Sequence, residues 1–96
     1  MRWSERILAR DKVCVCGSPA TEAHHIYPRK TWPELRLRKE NGIGLCTRCH
    51  RAIYGEEALH IEGFLKERPD QARTLGRLLP QIAERRGTKL GIHITR

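Results

Sequence analysis

The stretches Glu22-Ala23-His24-His25-Ile26 and Cys46-Thr47-Arg48-Cys49-His50, with Asn41 between them, decide how this chain folds. A second cysteine pair, Cys14-Val15-Cys16, precedes both stretches. Paired cysteines on separate turns are typical ligands of a structural zinc ion, whereas histidines can bind divalent metals or transfer protons near neutral pH. The pattern therefore predicts two kinds of site, one that holds a metal for structure and one that is built for chemistry.

The size of the chain predicts one domain that needs disulfides or a bound metal ion to stabilise it. A domain of 96 residues buries only about 60–65% of the surface that its unfolded chain exposes. Four cysteines could supply this stabilisation as two disulfides or as one zinc site. The first residues, Met1 to Arg6, contain no apolar run long enough for a signal peptide or a membrane helix. We therefore expect a cytoplasmic protein with no membrane partner, and a reducing compartment favours zinc over disulfides.

The two cysteine pairs differ in regularity. Cys46 and Cys49 have the usual spacing for a zinc knuckle, and a helix that begins there would stabilise their thiolates. Cys14 and Cys16 are one residue closer than usual, but Gly17 can take a positive φ so that backbone amides face the sulfur. We expect one closed, structural zinc site made of all four cysteines, since four thiolates leave no open position for a substrate.

The net charge of +8 is spread along the whole chain and predicts a polyanionic partner bound over a folded face. Solubility is the alternative explanation for such charge. No segment has the pattern of a base-reading recognition helix, so the charge predicts contacts with phosphates rather than with bases.

Turn residues and apolar periodicity predict an α+β order of helix, knuckle, strand, structured loop, strand and helix. The predicted elements are a helix over Trp3–Arg10, strands over Thr21–Ile26 and Ile43–Leu45, and a helix that Thr47 caps and that runs to Tyr54, with Gly55 as its terminator.

The remainder, about 56–96, is predicted to be a helical extension. The helices cover Glu56–Lys66 and Asp70–Arg86, with Pro69 between them. Gly76 and Pro80 are expected to disturb the second helix, while Leu75, Leu78, Leu79 and Ile82 give it an apolar stripe. Alternation at Leu90, Ile92 and Ile94 predicts a final short strand.

The candidate chemical residues can share one site only if the local backbone allows it. Neighbouring residues on a strand point to opposite faces, so His24 and His25 can serve one site only if the strand ends or bends beside them. Pro28 nearby makes that plausible. On the following helix, Cys49 and His50 differ by about 100° in direction. The thiolate can therefore face the knuckle while the imidazole faces the other way.

In order and spacing, residues 10–55 resemble the HNH nucleases, the ββα-metal group, and in particular a small zinc-ribbon type often found in phage genomes. The resemblance rests on the motifs Cys-x-Cys-Gly, Glu-Ala-His-His-Ile-Tyr-Pro, Trp-Pro-Glu-Leu, Glu-Asn-Gly-Ile-Gly-Leu-Cys and Cys-His-Arg-Ala-Ile. It implies an α+β fold with a ββα-metal core of two short antiparallel strands and a helix, stapled by a four-cysteine zinc knuckle, with added N- and C-terminal helices.

The resemblance also implies roles for single residues. His25 would be the general base, His24 and His50 ligands of a catalytic Mg²⁺, Mn²⁺ or Ni²⁺ ion, and Asn41 the residue that orients the base loop. Several family members have a further histidine where this chain has Tyr54. Water or Glu56 would then complete the ligand set. The implied activity is one-metal hydrolysis of DNA that leaves a 5′-phosphate and a 3′-hydroxyl.

The implied partner is the DNA phosphate backbone, and analogy with phage-borne members adds a terminase. Candidate phosphate contacts are Arg29, Lys30, Arg48 and Arg51. The alternative function is a non-catalytic zinc-ribbon module that binds DNA or a protein through the same basic surface. That module would need the cysteines but not the two adjacent histidines, Asn41 and His50. The sequence leaves the oligomeric state and the DNA sequence preference open.

Overall fold

The computed structural model describes the backbone of residues 1–90 and the side chains of residues 1–87. Its regular elements are α1 (Trp3–Arg10), β1 (Glu22–His25), β2 (Gly42–Leu45), α2 (Thr47–Ala52), α3 (Ile61–Glu67) and α4 (Pro69–Leu90), with 3-10 turns at Pro33–Leu35, Lys39–Asn41 and Glu57–His60. The predicted final strand is wrong at Leu90, which ends α4. Ile92 and Ile94 lie outside the described residues.

The centre of the fold is a two-stranded antiparallel sheet followed by a short helix. The strands pair from Glu22 opposite Leu45 to His25 opposite Gly42. Both strands lie where the apolar and β-branched runs predict them, within one residue at each end. Together with the cluster of four cysteines described below, this confirms the predicted α+β class with a ββα core.

The start and the end of α2 both differ from the prediction. The N-cap is Cys46 rather than Thr47, because its sulfur accepts the Cys49 amide at 3.4 Å. The Thr47 hydroxyl instead donates to Oε2 of Glu22 at 2.8 Å. The helix stops at Ala52, three residues before Gly55, whose φ of 84° reverses the chain.

The N-terminal helix packs against the sheet, where it completes the core. Ile7 is fully buried, and β2 has no room for a side chain at the point of contact. A Cβ on Gly42 would overlap the Ile7 side chain and lie 2.7 Å from Cζ2 of Trp3. The glycine is therefore required for the helix to lie against the strand.

A buried carboxylate ties together the end of α1, strand β2 and the junction between α3 and α4. Asp11 accepts hydrogen bonds from Arg10, from Nη1 of Arg68 at 2.9 Å and from the Gly44 amide at 3.0 Å. Burial alone would raise the pKa of Asp11, but the bonds from Arg10, Gly44 and Arg68 outweigh it and hold the pKa below its usual value. The carboxylate is therefore an ionised junction between three elements.

Between Gly55 and Leu90 the chain is largely helical, as predicted, but the boundaries differ. The stretch predicted as one helix over Glu56–Lys66 divides into a 3-10 turn and α3. Neither Gly76 nor Pro80 breaks α4, which packs through Leu75 and Ile82 onto the loop before β2. No helix among the described residues is long and apolar enough to cross a membrane.

Candidate active site

The four cysteines form one compact cluster. Their Sγ atoms all lie within 4.8 Å of one another, and those of Cys16 and Cys46 are 3.7 Å apart. Sulfurs placed about 2.3 Å from a tetrahedral zinc ion would be about 3.8 Å apart, so the cluster fits zinc. All four cysteines are free, and the 3.7 Å separation is far too long for a disulfide, whose sulfurs lie about 2 Å apart. The cluster is positioned to bind one metal ion.

The short spacing of the first pair is accommodated by a tight turn. The Cys14 amide donates to the Ser18 carbonyl at 2.7 Å, and the Gly17 amide donates to the Cys14 carbonyl at 2.8 Å. Gly17 has a φ of 98°, a conformation that L side chains rarely adopt. The turn thus brings Cys14 and Cys16 to one side although only one residue separates them.

The cluster cannot ionise fully without a cation. Hydrogen bonds to Ser18 lower the pKa of Cys16 to about 5, whereas the neighbouring sulfurs of Cys16 and Cys46 raise the pKa of Cys49 to about 12. Four thiolates this close together repel one another, and a divalent ion removes that repulsion. The chemistry of the donor set therefore agrees with its geometry.

A cleft of about 480 Å³ is lined by His50 of α2, the residue that follows Cys49 of this cluster. It brings together three of the histidines that the sequence singles out, His24, His25 and His50. The residues that line it are Ala23, His24, His25, Pro28, Arg29, His50 and Glu57. The chain bends at Ile26 and Tyr27, directly after β1, so the two adjacent histidines reach one cleft.

His24 provides an imidazole nitrogen that nothing in the described part of the chain satisfies. The residue is only 6% exposed, and its Nε2 is buried with no hydrogen-bond partner there. Its ring lies edge-on to His50, with 5.2 Å between ring centroids. Burial, helped by the charge of His50, lowers the pKa of His24 to about 4, so the ring is neutral at pH 7. A neutral, unpartnered imidazole nitrogen is suited to bind a metal.

His50 is oriented by a carboxylate. Its Nδ1 donates to Oε1 of Glu22 at 2.6 Å, and this bond lowers the pKa of Glu22. The bond leaves Nε2 as the nitrogen with the free lone pair, which is the arrangement that metal-binding histidines commonly have. Sequence reasoning gave Glu22 no role, although its position two residues before His24 places both on one face of β1.

His25 also lines the cleft. Its Nε2 lies 3.0 Å from the Arg36 carbonyl, and its ring stacks on Trp3. Burial lowers the pKa of His25, and the charge of Arg29 adds to that effect, while the Arg36 carbonyl partly opposes it. The ring is therefore neutral at physiological pH, as a proton acceptor must be.

Asn41 is fully buried behind the cleft and holds the bend that follows β1. Its Oδ1 accepts the Tyr27 amide at 2.8 Å, and its Nδ2 donates to the Tyr27 carbonyl at 3.0 Å and to the Leu35 carbonyl at 3.3 Å. The Asn41 carbonyl also accepts the Ile26 amide at 2.9 Å. One side chain thereby fixes both the bend beside His25 and the loop that returns to it.

The carboxylate at the cleft is Glu57, and neither Tyr54 nor Glu56 is among the lining residues. Tyr54 is 82% exposed. Glu57 accepts the Gly55 amide at 3.0 Å, and this bond lowers the pKa of the carboxyl. Sequence reasoning missed Glu57 because its placement depends on where α2 ends. Among the described residues, only the four cysteines form a compact cluster of three or more potential ligands, so the cleft is a more open site.

The candidate phosphate contacts differ in position. Arg29 lines the cleft and also a second depression, which it shares with Arg2 and Arg36. None of these three arginines has an ion-pair partner among the described residues. Lys30, Arg48 and Arg51 are exposed but do not line the cleft. Of the four candidates, Arg29 is thus the one that stands at the cleft, and the depression beside it adds Arg2 and Arg36.

The comparison with family models agrees with this geometry. A model described as HNH endonuclease matches residues 13–56, the stretch that contains both cysteine pairs, β1, β2 and α2. Neither a curated protein nor a solved structure matches the chain. The match begins after α1 and ends one residue before Glu57. Residues 13–56, a little under half of the chain, are thus similar to the HNH endonuclease family.

Proposed function

We propose that the protein is a metal-dependent endonuclease that hydrolyses phosphodiester bonds in DNA. The observation that carries this proposal is the cleft itself, where the unpartnered Nε2 of His24 lies beside His50 and His25 lines the same space. A binding module has no need for a desolvated imidazole without a partner, because such a group lowers stability. A site that binds a metal does need one.

His25 is the general base in this proposal. A carbonyl oxygen can only accept, so the nitrogen that faces the Arg36 carbonyl, Nε2, carries the ring proton. The lone pair of the neutral ring then lies on Nδ1, which can take a proton from a water molecule as that water attacks phosphorus. Asn41 supports this role from behind by fixing the backbone next to His25.

The donor set of the cleft fits a divalent ion. His24 and His50 would hold it, and Glu57 is the carboxylate available to join them. When bound, the ion would polarise the scissile phosphate and stabilise the charge on the leaving 3′-oxygen. Imidazole ligands suit Mn²⁺ and Ni²⁺, whereas Mg²⁺ prefers oxygen, so we expect activity with the first two to equal or exceed that with Mg²⁺. The products would be a 5′-phosphate and a 3′-hydroxyl.

The charge around the cleft supports a polyanionic substrate. Arg29 stands at the cleft, and the second depression continues the positive surface through Arg2 and Arg36. Further cations, Arg6, Arg38 and Lys39, line another depression next to it. Guanidinium groups there would contact phosphates on either side of the scissile bond. Contacts of this kind position the DNA without reading its sequence.

The second candidate is a non-catalytic zinc module that binds DNA or a protein. The observation that favours it is the closed cluster of four cysteines, which could support a basic surface without any help from the histidines. It accounts neither for the bond between His50 and Glu22 nor for the buried, unpartnered nitrogen of His24. The two candidates make different predictions for a cleavage assay.

The test uses protein treated briefly with chelator, so that weakly held ions leave and the structural metal stays, and supercoiled plasmid as substrate. Divalent ions are then added back one at a time. We expect His25→Ala to lower the cleavage rate by about two to four orders of magnitude while DNA binding persists. His60→Ala is the matched control, because His60 is not among the residues that line the cleft. Binding without cleavage in wild type, whatever the ion, would favour the module over the enzyme.

A further inference from the structure

A tryptophan from outside the family match lies flat against the ring of His25. The Trp3 and His25 ring centroids are 4.0 Å apart, and the ring planes differ by only 5°. Trp3 belongs to α1, which ends before the matched stretch of residues 13–56 begins. The contact therefore joins the ring proposed as general base to an element that the HNH match does not include.

The same loop anchors both rings. Nε1 of Trp3 donates to the Arg38 carbonyl at 2.8 Å, and Nε2 of His25 lies 3.0 Å from the Arg36 carbonyl. The two acceptors are only two residues apart on the chain. Each ring is thus held at its edge by a carbonyl of one loop and on its face by the other ring.

The sheet is built to admit this stack. Gly42 is the residue opposite His25 in the strand register. A Cβ at that position would overlap Ile7 and come within 2.7 Å of Trp3. The missing side chain at the cross-strand partner of His25 therefore provides the space in which α1 and its tryptophan lie.

We propose that Trp3 is a positioning residue that holds the His25 ring in its productive orientation. The indole face prevents the imidazole from tilting, and the bond to Arg36 prevents it from turning over. Nδ1 therefore stays the nitrogen with the lone pair. This inference rests on the proposed role of His25 as general base. It adds the N-terminal helix to the elements on which the proposed catalysis depends, with Trp3 acting through the His25 ring.

The test compares Trp3→Leu, which removes the flat face and the N–H group, with Trp3→Phe, which keeps an aromatic face. Trp32→Leu is the matched control, because the other tryptophan lies against Arg86 and Tyr27 rather than against His25. Each variant is assayed for kcat and KM on a labelled DNA duplex. Metal content and circular dichroism confirm that each variant is folded.

We expect Trp3→Leu to lower kcat by about 10- to 100-fold while KM changes little, because a misplaced base slows the chemical step rather than binding. Trp3→Phe should recover most of kcat, and Trp32→Leu should leave it near the wild-type value. A Trp3→Leu protein with wild-type kcat would overturn the proposal. So would an equal loss in Trp3→Leu and Trp32→Leu, since both would then act only through stability.

A second readout needs no activity. In NMR spectra without DNA, the His25 ring protons should be shifted upfield by the indole, and its nitrogen shifts should report the tautomer with the proton on Nε2. We expect Trp3→Leu to abolish the upfield shift and Trp3→Phe to keep part of it. Wild-type spectra without that shift would overturn the stack itself. If His25→Ala cleaves DNA normally, His25 is not the general base and the proposed function itself fails. If His25→Ala is inactive but Trp3→Leu keeps the wild-type kcat, only the positioning role of Trp3 is overturned.

Discussion

The cysteine cluster and the histidine cleft each include a residue of one short helix, α2, and differ in how many ligand atoms each brings together. The cluster has four ligand atoms within 4.8 Å of one another. The cleft has two imidazoles with ring centroids 5.2 Å apart and a carboxylate that does not join them in a compact group. A closed ligand set stabilises a fold, and an open one leaves room for substrate. The comparison predicts a tightly held structural metal and a weakly held catalytic one.

We expect the histidine cleft to depend on the cysteine cluster, but not the cluster on the cleft. Cys49 and His50 are neighbours on α2, and the N-cap of that helix is the sulfur of Cys46. The helix that presents His50 therefore begins within the cluster, so loss of the structural metal should disorder the cleft. The cluster draws its four ligands from the cysteines alone, so loss of a histidine should leave the structural metal in place.

The largest expected effect is the loss of the fold in Cys46→Ser. This change removes a metal ligand and the cap of α2 together, and structural zinc contributes on the order of 10 kcal/mol to the folding of small zinc domains. We expect about one zinc per chain in the wild type, and an unfolded, zinc-free Cys46→Ser protein by metal analysis and circular dichroism. His50→Ala is the comparison, because it should keep the zinc. A folded Cys46→Ser protein would remove the distinction between the two sites.

The second prediction concerns Asp11, which lies outside both sites and joins three elements. Asp11→Asn leaves the charges of Arg10 and Arg68 without their carboxylate, so we expect the free energy of unfolding to fall by on the order of 3 kcal/mol. Urea denaturation at pH 7 with saturating zinc measures it. Zinc stoichiometry should stay at one per chain, whereas a loss of zinc would mean that the cluster depends on this junction.

The contribution of Asp11 to the free energy of unfolding should also depend on pH in a defined direction. Its pKa is lower in the folded protein than the ordinary value of about 3.9, so the carboxylate stabilises the fold above that value. That contribution is lost as the pH falls through the lowered, folded-state pKa. The stability difference between wild type and Asp11→Asn should thus be constant from about pH 8 to 5 and shrink only in stronger acid. A zinc-sensitive dye identifies the pH below which zinc is released and the two proteins can no longer be compared. A stability difference that already shrinks near neutral pH would contradict the prediction.

The third prediction is a gain in the free energy of unfolding, whereas the first is a loss. His24 carries a buried nitrogen with no partner in the described residues, and such a group costs about 1–3 kcal/mol. His24→Leu keeps a similar volume, so without divalent ions other than zinc it should raise the free energy of unfolding by about 1 kcal/mol. Cleavage should be lost at the same time. A less stable His24→Leu protein would mean that the imidazole is satisfied by water and is not poised for a metal.

Local patterns in the sequence predict the elements, because helices and strands depend on neighbouring residues. The bounds of α1 are as predicted, and both strands lie within one residue of the prediction. The cap of α2 was missed because threonine is the better cap by propensity, whereas here the cysteine sulfur takes that place. Side-chain chemistry specific to the metal cluster overrides the general preference.

The parts of the site that the sequence conceals are those that need distant contacts. Glu22 could have been found from strand alternation, since it shares a face with His24. Glu57 could not, because its position follows from the early end of α2 at Ala52. The stack of Trp3 on His25 joins residues 22 positions apart and exists only because α1 packs onto Gly42. No period or motif in the sequence encodes that packing.

The last prediction concerns the cleft, where Glu56, Glu57 and Tyr54 are the candidates for a third ligand in the proposed metal site. Glu57 lines the cleft, whereas Tyr54 is 82% exposed and is not a lining residue. We therefore expect Glu57→Gln to weaken Mn²⁺ binding by about tenfold, since a carboxylate near a metal typically changes affinity by that order. Tyr54→His and Glu56→Gln should leave the affinity unchanged. Calorimetric titration of the zinc-loaded proteins with Mn²⁺ measures these affinities. Tighter binding by Tyr54→His would mean that α2 extends by a turn when the ion binds. An unchanged affinity in Glu57→Gln would leave the two imidazoles and water as the whole ligand set.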